Sequence, residues 1–194
     1  MTYGDKSRRV ISCHRMSRRD FLTAGLACTA VCLFPHKAVA AMSQNFSAEK
    51  SLSFYNIHTG ENMRTTYWSR GSYVPEALDG INYLLRDYRT GEVKEIDTDL
   101  LDLLFSLHQT MECTEPFHVI SGYRSQETNA RLNAASRGVA KDSLHMYGKA
   151  IDIRLPGYEL KTLQRAAVGL QRGGVGYYPM SDFVHVDVGR IRYW

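Results

Sequence analysis

The stretch "DFVHVDVG", Asp182 to Gly189, constrains this chain more than any other. Val184, Val186 and Val188 alternate strictly with Phe183, His185 and Asp187, the period of a half-buried strand. The valine face must pack on a core, so the opposite face carries an imidazole and a carboxylate where the fold fixes them. What joins His185 on that face decides what the chain can do. A second stretch, "SLHMYGKAID", places His145 and Asp152 seven residues apart. In an unbroken strand that odd separation points them to opposite faces. Gly148 lies between them and can take backbone angles closed to other residues, so a turn or bulge there brings both to one side.

The first forty residues belong to a different kind of segment. Arg18 and Arg19 precede the apolar run Phe21 to Phe34, and the small-residue triplet Ala38-Val39-Ala40 follows. A basic head, a short apolar centre and an A-x-A end make an export signal, and the arginine pair marks the Tat type. Fourteen residues span only ~21 Å as a helix, short of a ~30 Å hydrocarbon core, which argues against a membrane anchor. Cleavage is expected after about Ala40, with delivery to the periplasm through the Tat export machinery. Cys28 and Cys32 lie in no lipoprotein-type sequence, so no lipid anchor is expected.

Removing residues 1–40 changes the composition. Of 24 basic and 20 acidic residues, seven and two leave with the signal, so 17 face 18 and the net charge is −1. The basic balance of the whole chain therefore says nothing about nucleic acid. Cys113 is the one cysteine left, which rules out an intramolecular disulfide. Residues 41–50 are small and polar and are expected to be a flexible start. Residues 51–194 are long enough for one domain with its own core. No oligomer is implied.

Within that domain, "SLSFYNIHTGENMRTTYW" reads as two strands around a turn at His58 to Glu61. Helices are expected from Pro75 (Leu78, Ile81, Leu85, Tyr88) and after Asp97 or Thr98 (Leu100, Leu101, Leu104, Leu107, Met111). Others are expected from near Ser125 to Gly138, and over Leu160 to Leu170 with a stop at Gly173-Gly174. "FHVI", "VGYY" and "FVHVDV" are strands. The irregular alternation of helices and strands predicts an α+β fold, a small antiparallel sheet with flanking helices.

His145, Asp152 and His185 together offer two nitrogens and one oxygen, the donor set of one catalytic zinc whose fourth position stays open. Such an ion polarises a carbonyl and lowers the pKa of water, which together make an amide hydrolase. Singly, each residue has a plainer reading. A lone histidine is most often a hydrogen-bonded structural residue, and Asp152 between Ile151 and Ile153 could be the solvent side of a strand. His58, His108 and His118 lack comparable partners and are read as structural.

The string S-x-H-x-x-G-x-A-x-D at Ser143 to Asp152 resembles the motif of the zinc D-alanyl-D-alanine peptidases and their murein endopeptidase relatives. With "ISGYRS", "SRGVAKDSLH", "GGVGYYP", "FVHVDVG", the Tat signal and a terminal aromatic pair, the chain from about Phe54 to Trp194 resembles the murein endopeptidase K group. The resemblance implies the Hedgehog/DD-peptidase fold, one zinc on His145, Asp152 and His185, and cleavage of peptide cross-links in peptidoglycan.

The resemblance also carries roles. Arg124 in "SGYRS" would bind substrate and stabilise the developing oxyanion; its structural alternative is an ion pair with an acid such as Asp142. Ser143 would hydrogen-bond substrate within the site or cap a loop. The D-x-x-H spacing makes Asp182 the candidate general base, if the strand entrance bends. Asp187, on the face of His185, could instead orient that imidazole. The reading that follows is a zinc-dependent murein endopeptidase, on bonds such as those linking two diaminopimelate residues. The alternatives are a D,D-carboxypeptidase on stem peptides and a non-catalytic, zinc-containing wall-binding module.

Overall fold

The computed structural model describes residues 49–136 and 138–194. The expected export signal and nearly all of the expected flexible start lie outside the described residues, although Lys50 already opens the first strand. Among the described residues no helix is long and apolar enough to cross a membrane.

Eight strands form one sheet in the order β3-β2-β1-β4-β5-β7-β6-β8. They are β1 (Lys50–Asn56), β2 (Asn62–Ser69), β3 (Ser72–Tyr73), β4 (Phe117–Ser121), β5 (Ala150–Arg154), β6 (Gly174–Tyr178), β7 (Phe183–Asp187) and β8 (Arg192–Tyr193). The fold is α+β, as expected, and most pairings are antiparallel. The parallel pairs β1–β4 and β6–β8 were not expected. β3 and β8 have two residues each, too short to leave a periodic signal.

Among the described residues four α-helices flank the sheet: α1 (Pro75–Leu84), α2 (Thr98–Thr110), α3 (Gln126–Ala135) and α4 (Leu160–Leu170). Pro75 opens α1, where its missing N–H costs nothing. Asp97 caps α2 by accepting from Asp99 N, and Ser125 caps α3 by accepting from Thr128 N. The apolar stripe of α2 (Leu100, Leu101, Leu104, Leu107) is wholly buried, alongside Leu52, Phe54 and Phe117 from the sheet. Ile151, Ile153, Val184 and Val186 complete that face of β5 and β7. The opposite face of the same two strands is thereby left for Asp152 and His185.

Two helix ends differ from expectation. α1 stops before Tyr88, whose ring instead stacks on His58 at 3.9 Å. α4 stops at Leu170 with Gln171 in the left-handed region, so Gly173 and Gly174 are not its stop signal. They are needed elsewhere, because a Cβ on Gly173 would lie 1.7 Å from the Asp187 carbonyl oxygen. His108 donates to or accepts from no ligand cluster; its Nε2 meets the Glu115 carbonyl at 2.8 Å.

Candidate metal centre

Asp152 and His185 face each other directly across the antiparallel β5–β7 pair. Their neighbours Ile151, Ile153, Val184 and Val186 point into the core, so alternation drives both polar side chains to one face. His145 arrives on a 3-10 turn, Leu144–Tyr147, that ends at Gly148 with φ 66°. That residue has to be glycine twice over, since a Cβ would also lie 2.2 Å from the Glu95 carbonyl oxygen. The turn resolves the odd spacing: His145 lands on the face of Asp152 and His185, and all three are buried or nearly so.

One potential ligating atom from each of the three lies within 4.8 Å of the others. His145 Nε2 is 3.2 Å from His185 Nδ1, and Asp152 Oδ1 is 2.9 Å from His185 Nδ1. The outer nitrogens fix the tautomers. His145 Nδ1 sits 2.7 Å from the Gly122 carbonyl oxygen and must donate to it. His185 Nε2 sits 2.9 Å from Asp187 Oδ2 and must donate there. The inner nitrogens then present lone pairs to one another and to a carboxylate oxygen, an arrangement that calls for a positive charge between them. A proton on His185 answers part of that demand: burial opposes charging this imidazole, but Asp152 and Asp187 outweigh burial and raise its pKa. A metal ion answers all of it, and the donor set of two imidazoles and a carboxylate fits zinc.

The remaining charges are held by named partners. Burial works against ionised Asp152, yet His145, His185 and Arg124 hold its pKa well below the usual carboxylate range. Burial lowers the pKa of His145 and keeps it neutral, the form a ligand needs. Asp187 is fully buried and receives five donors: His185 Nε2, both Arg192 amino groups, and the backbone N–H of Gly174 and Gly189. Those hydrogen bonds hold it ionised against the cost of burial. The close approach of Gly173 and Gly174 makes this nest possible.

Arg124 reaches the cluster from the loop after β4. Its Nη2 donates to Asp152 Oδ2 and lies 2.9 Å from His145 Nε2, while its Nε donates to Ser121 Oγ at 2.9 Å. The ion pair considered with Asp142 is absent, because Asp142 accepts from the Tyr147 hydroxyl at 2.8 Å. Ser143 is buried and lines the cleft, and its side chain makes no capping hydrogen bond. Asp182 lies apart from the ligands. It closes the Pro179–Ser181 turn in the left-handed region, and its carboxylate, 62% exposed, accepts from Arg154 Nη1 at 2.8 Å. It lines a separate depression with His118 and Tyr158, not the cleft over the ligands. The turn admits the bend and aims the side chain at Arg154.

The cleft has a volume of about 290 Å³. One wall is aromatic, made by Tyr178, Phe183 and Trp194, and the loop through Val139 and Asp142 forms the other. Sequence reasoning did not single out Tyr178, Trp194 or Arg192 as site residues, since no spacing rule links them to the ligands.

The family model for peptidoglycan L,D-endopeptidase MepK matches residues 44–194. The chain belongs to this family. The MepK-family relatives include the peptidoglycan L,D-endopeptidase MepK of Escherichia coli K12, 39% identical over 92% of this chain and 97% of that protein. The Shigella flexneri MepK matches to the same extent. The probable MepK of Haemophilus influenzae is 37% identical over 92% of this chain and 95% of its own length.

Asp187 and Asp182 should separate in a paired experiment. Asp187→Asn, which weakens the acceptor that holds His185, is expected to lower zinc affinity by ~10–100-fold. Asp182→Asn should leave both affinity and turnover near those of the parent, because a surface ion pair contributes only ~0–1 kcal/mol. Competition with a zinc chelator and turnover assays on both variants check this.

Proposed function

We propose that this chain is a peptidoglycan L,D-endopeptidase, a zinc metallopeptidase that hydrolyses peptide cross-links, including those between diaminopimelate residues. The observation that carries the reading is the convergence of His145 Nε2, Asp152 and His185 Nδ1 at the floor of a cleft shared with Arg124. The names of the MepK-family relatives support the substrate class.

Zinc held by these three residues would supply a Lewis acid and a water of lowered pKa. The protein's own groups do the rest. Gly122 and Asp187 hold the outer N–H groups of the two imidazoles, so neither ring turns. Arg124 is pinned by Ser121 and Asp152, which leaves its Nη1 amino group without a protein partner among the described residues. That group can donate to the carbonyl oxygen of a peptide in the cleft as the oxygen gains negative charge. Ser143 would hydrogen-bond the peptide from the loop wall. Residues 1–40 support export through the Tat machinery to the periplasm, where the wall is reached.

The test is digestion of purified murein by the mature domain, with released muropeptides identified by mass spectrometry. Loss of L,D-cross-linked dimers, stopped by chelator and restored by zinc, is the expected result. Release of only a terminal residue from monomeric stems would favour the D,D-carboxypeptidase. Wall binding without cleavage would favour the non-catalytic module.

A further inference from the structure

Tyr178 and Trp194 make a hydrogen bond whose direction is forced. The indole Nε1–H can only donate, so at 2.8 Å the Tyr178 hydroxyl oxygen must accept. A phenolic hydrogen prefers the ring plane, on one side of the oxygen or the other. With the indole N–H on one side, the hydroxyl hydrogen is turned to the other. Among the described residues it meets no acceptor there, and Tyr178 lines the cleft.

Everything around this pair fixes its aim. The Tyr178 ring stacks on Phe183 at 4.6 Å and 20°, its cross-strand partner in the β6–β7 ladder. Trp194 is tied to β6 through Trp194 N to Val175 O and Tyr177 N to Trp194 O. Its indole lies where the side chain of residue 176 would be, since a Cβ on Gly176 would come within 2.6 Å of Cε2. Gly176 pairs directly with His185, and the indole and imidazole centroids are 5.3 Å apart. The Arg192 guanidinium that holds Asp187 also lies 5.0 Å from the indole.

We propose that Tyr178 is a substrate-facing donor of this cleft, whose hydroxyl hydrogen-bonds the scissile carbonyl oxygen more strongly as charge develops, and that Trp194 is the positioning residue that aims it. This rests on the endopeptidase reading above. It gives Arg124 a neutral counterpart on the aromatic wall. Both residues line the same cleft, and two donors on one oxygen are what a developing oxyanion favours.

Steady-state digestion of a defined cross-linked muropeptide by zinc-loaded parent, Tyr178→Phe, Trp194→Phe and the double variant tests this. Tyr178→Phe keeps the stacked ring and removes only the hydroxyl. It should lower kcat by about 10²-fold with KM and zinc content little changed. Trp194→Phe keeps an aromatic wall and removes the N–H. It should cost less than Tyr178→Phe and nothing further in the Tyr178→Phe background, because it acts through the hydroxyl. Unchanged kcat in Tyr178→Phe, a rise in KM alone, or a Trp194→Phe loss that persists in full in the double variant each overturns the proposal. A parent that digests the muropeptide beside an equally fast Tyr178→Phe variant overturns this inference alone. A parent without activity overturns the endopeptidase reading with it.

Discussion

His185→Ala is expected to lose stoichiometric zinc and murein hydrolysis together while the domain stays folded. The imidazole is the hub of the cluster: its Nδ1 meets both Asp152 and His145, and its Nε2 meets Asp187. Without it, one imidazole and one carboxylate remain, too few to hold zinc against water. Folding does not depend on the ring in the same way. The β5–β7 ladder is built by backbone hydrogen bonds, Val184 and Val186 stay in the core, and Asp187 keeps Arg192 and two backbone donors. Zinc content by mass spectrometry, far-ultraviolet circular dichroism and muropeptide analysis make the check. A folded variant that keeps one zinc per chain and digests murein would remove the metal assignment. A variant that loses activity but keeps zinc would move the ligand role to another residue.

What the sequence made legible follows from the range over which each signal acts. The alternation in β7 and the stripe in α2 are local periodicities, and the core accepts their apolar faces as read. Asp97, Ser125 and Pro75 sit at helix starts because capping is decided within one turn of chain. Gly148 was readable for the same reason: an odd spacing between two polar residues requires a local change of direction, and glycine permits it.

Asp182 shows where such reasoning runs out. A spacing of three from a histidine gives a separation along the chain, but the direction of a side chain in a tight turn depends on the turn. Here the left-handed conformation and the Arg154 guanidinium on the neighbouring strand decide it. Arg192 and Trp194 were out of reach for another reason. Arg192 opens β8, a two-residue strand added in parallel to β6, and Trp194 follows it directly; two residues cannot show a period. The Gly122 carbonyl and Ser121 hydroxyl, which orient His145 and Arg124, depend on the pairing of β4 with β5, a long-range register that no local pattern records.

Arg124→Ala is expected to leave zinc in place and lower turnover by ~10²–10³, the usual loss for one preorganised oxyanion donor. The two halves of that expectation have separate causes. Arg124 touches Asp152 Oδ2 and His145 Nε2, so it is a positive charge within reach of the ligands. Removing it takes away repulsion against a bound cation, so zinc affinity should hold or rise. Turnover should fall because the guanidinium brings more than one N–H to the cleft, and among the described residues the other guanidinium lining it, Arg192, is held by Asp187. Arg124→Lys sharpens the test. It restores the charge without the fork, and a single flexible ammonium cannot hold Ser121, Asp152 and a substrate oxygen at once. Recovery in the lysine variant should therefore be small. Full recovery would mean that charge alone matters at this position. Parental turnover in Arg124→Ala would return the residue to a structural partner of Asp152, and the aromatic wall would be left to supply the oxyanion donor.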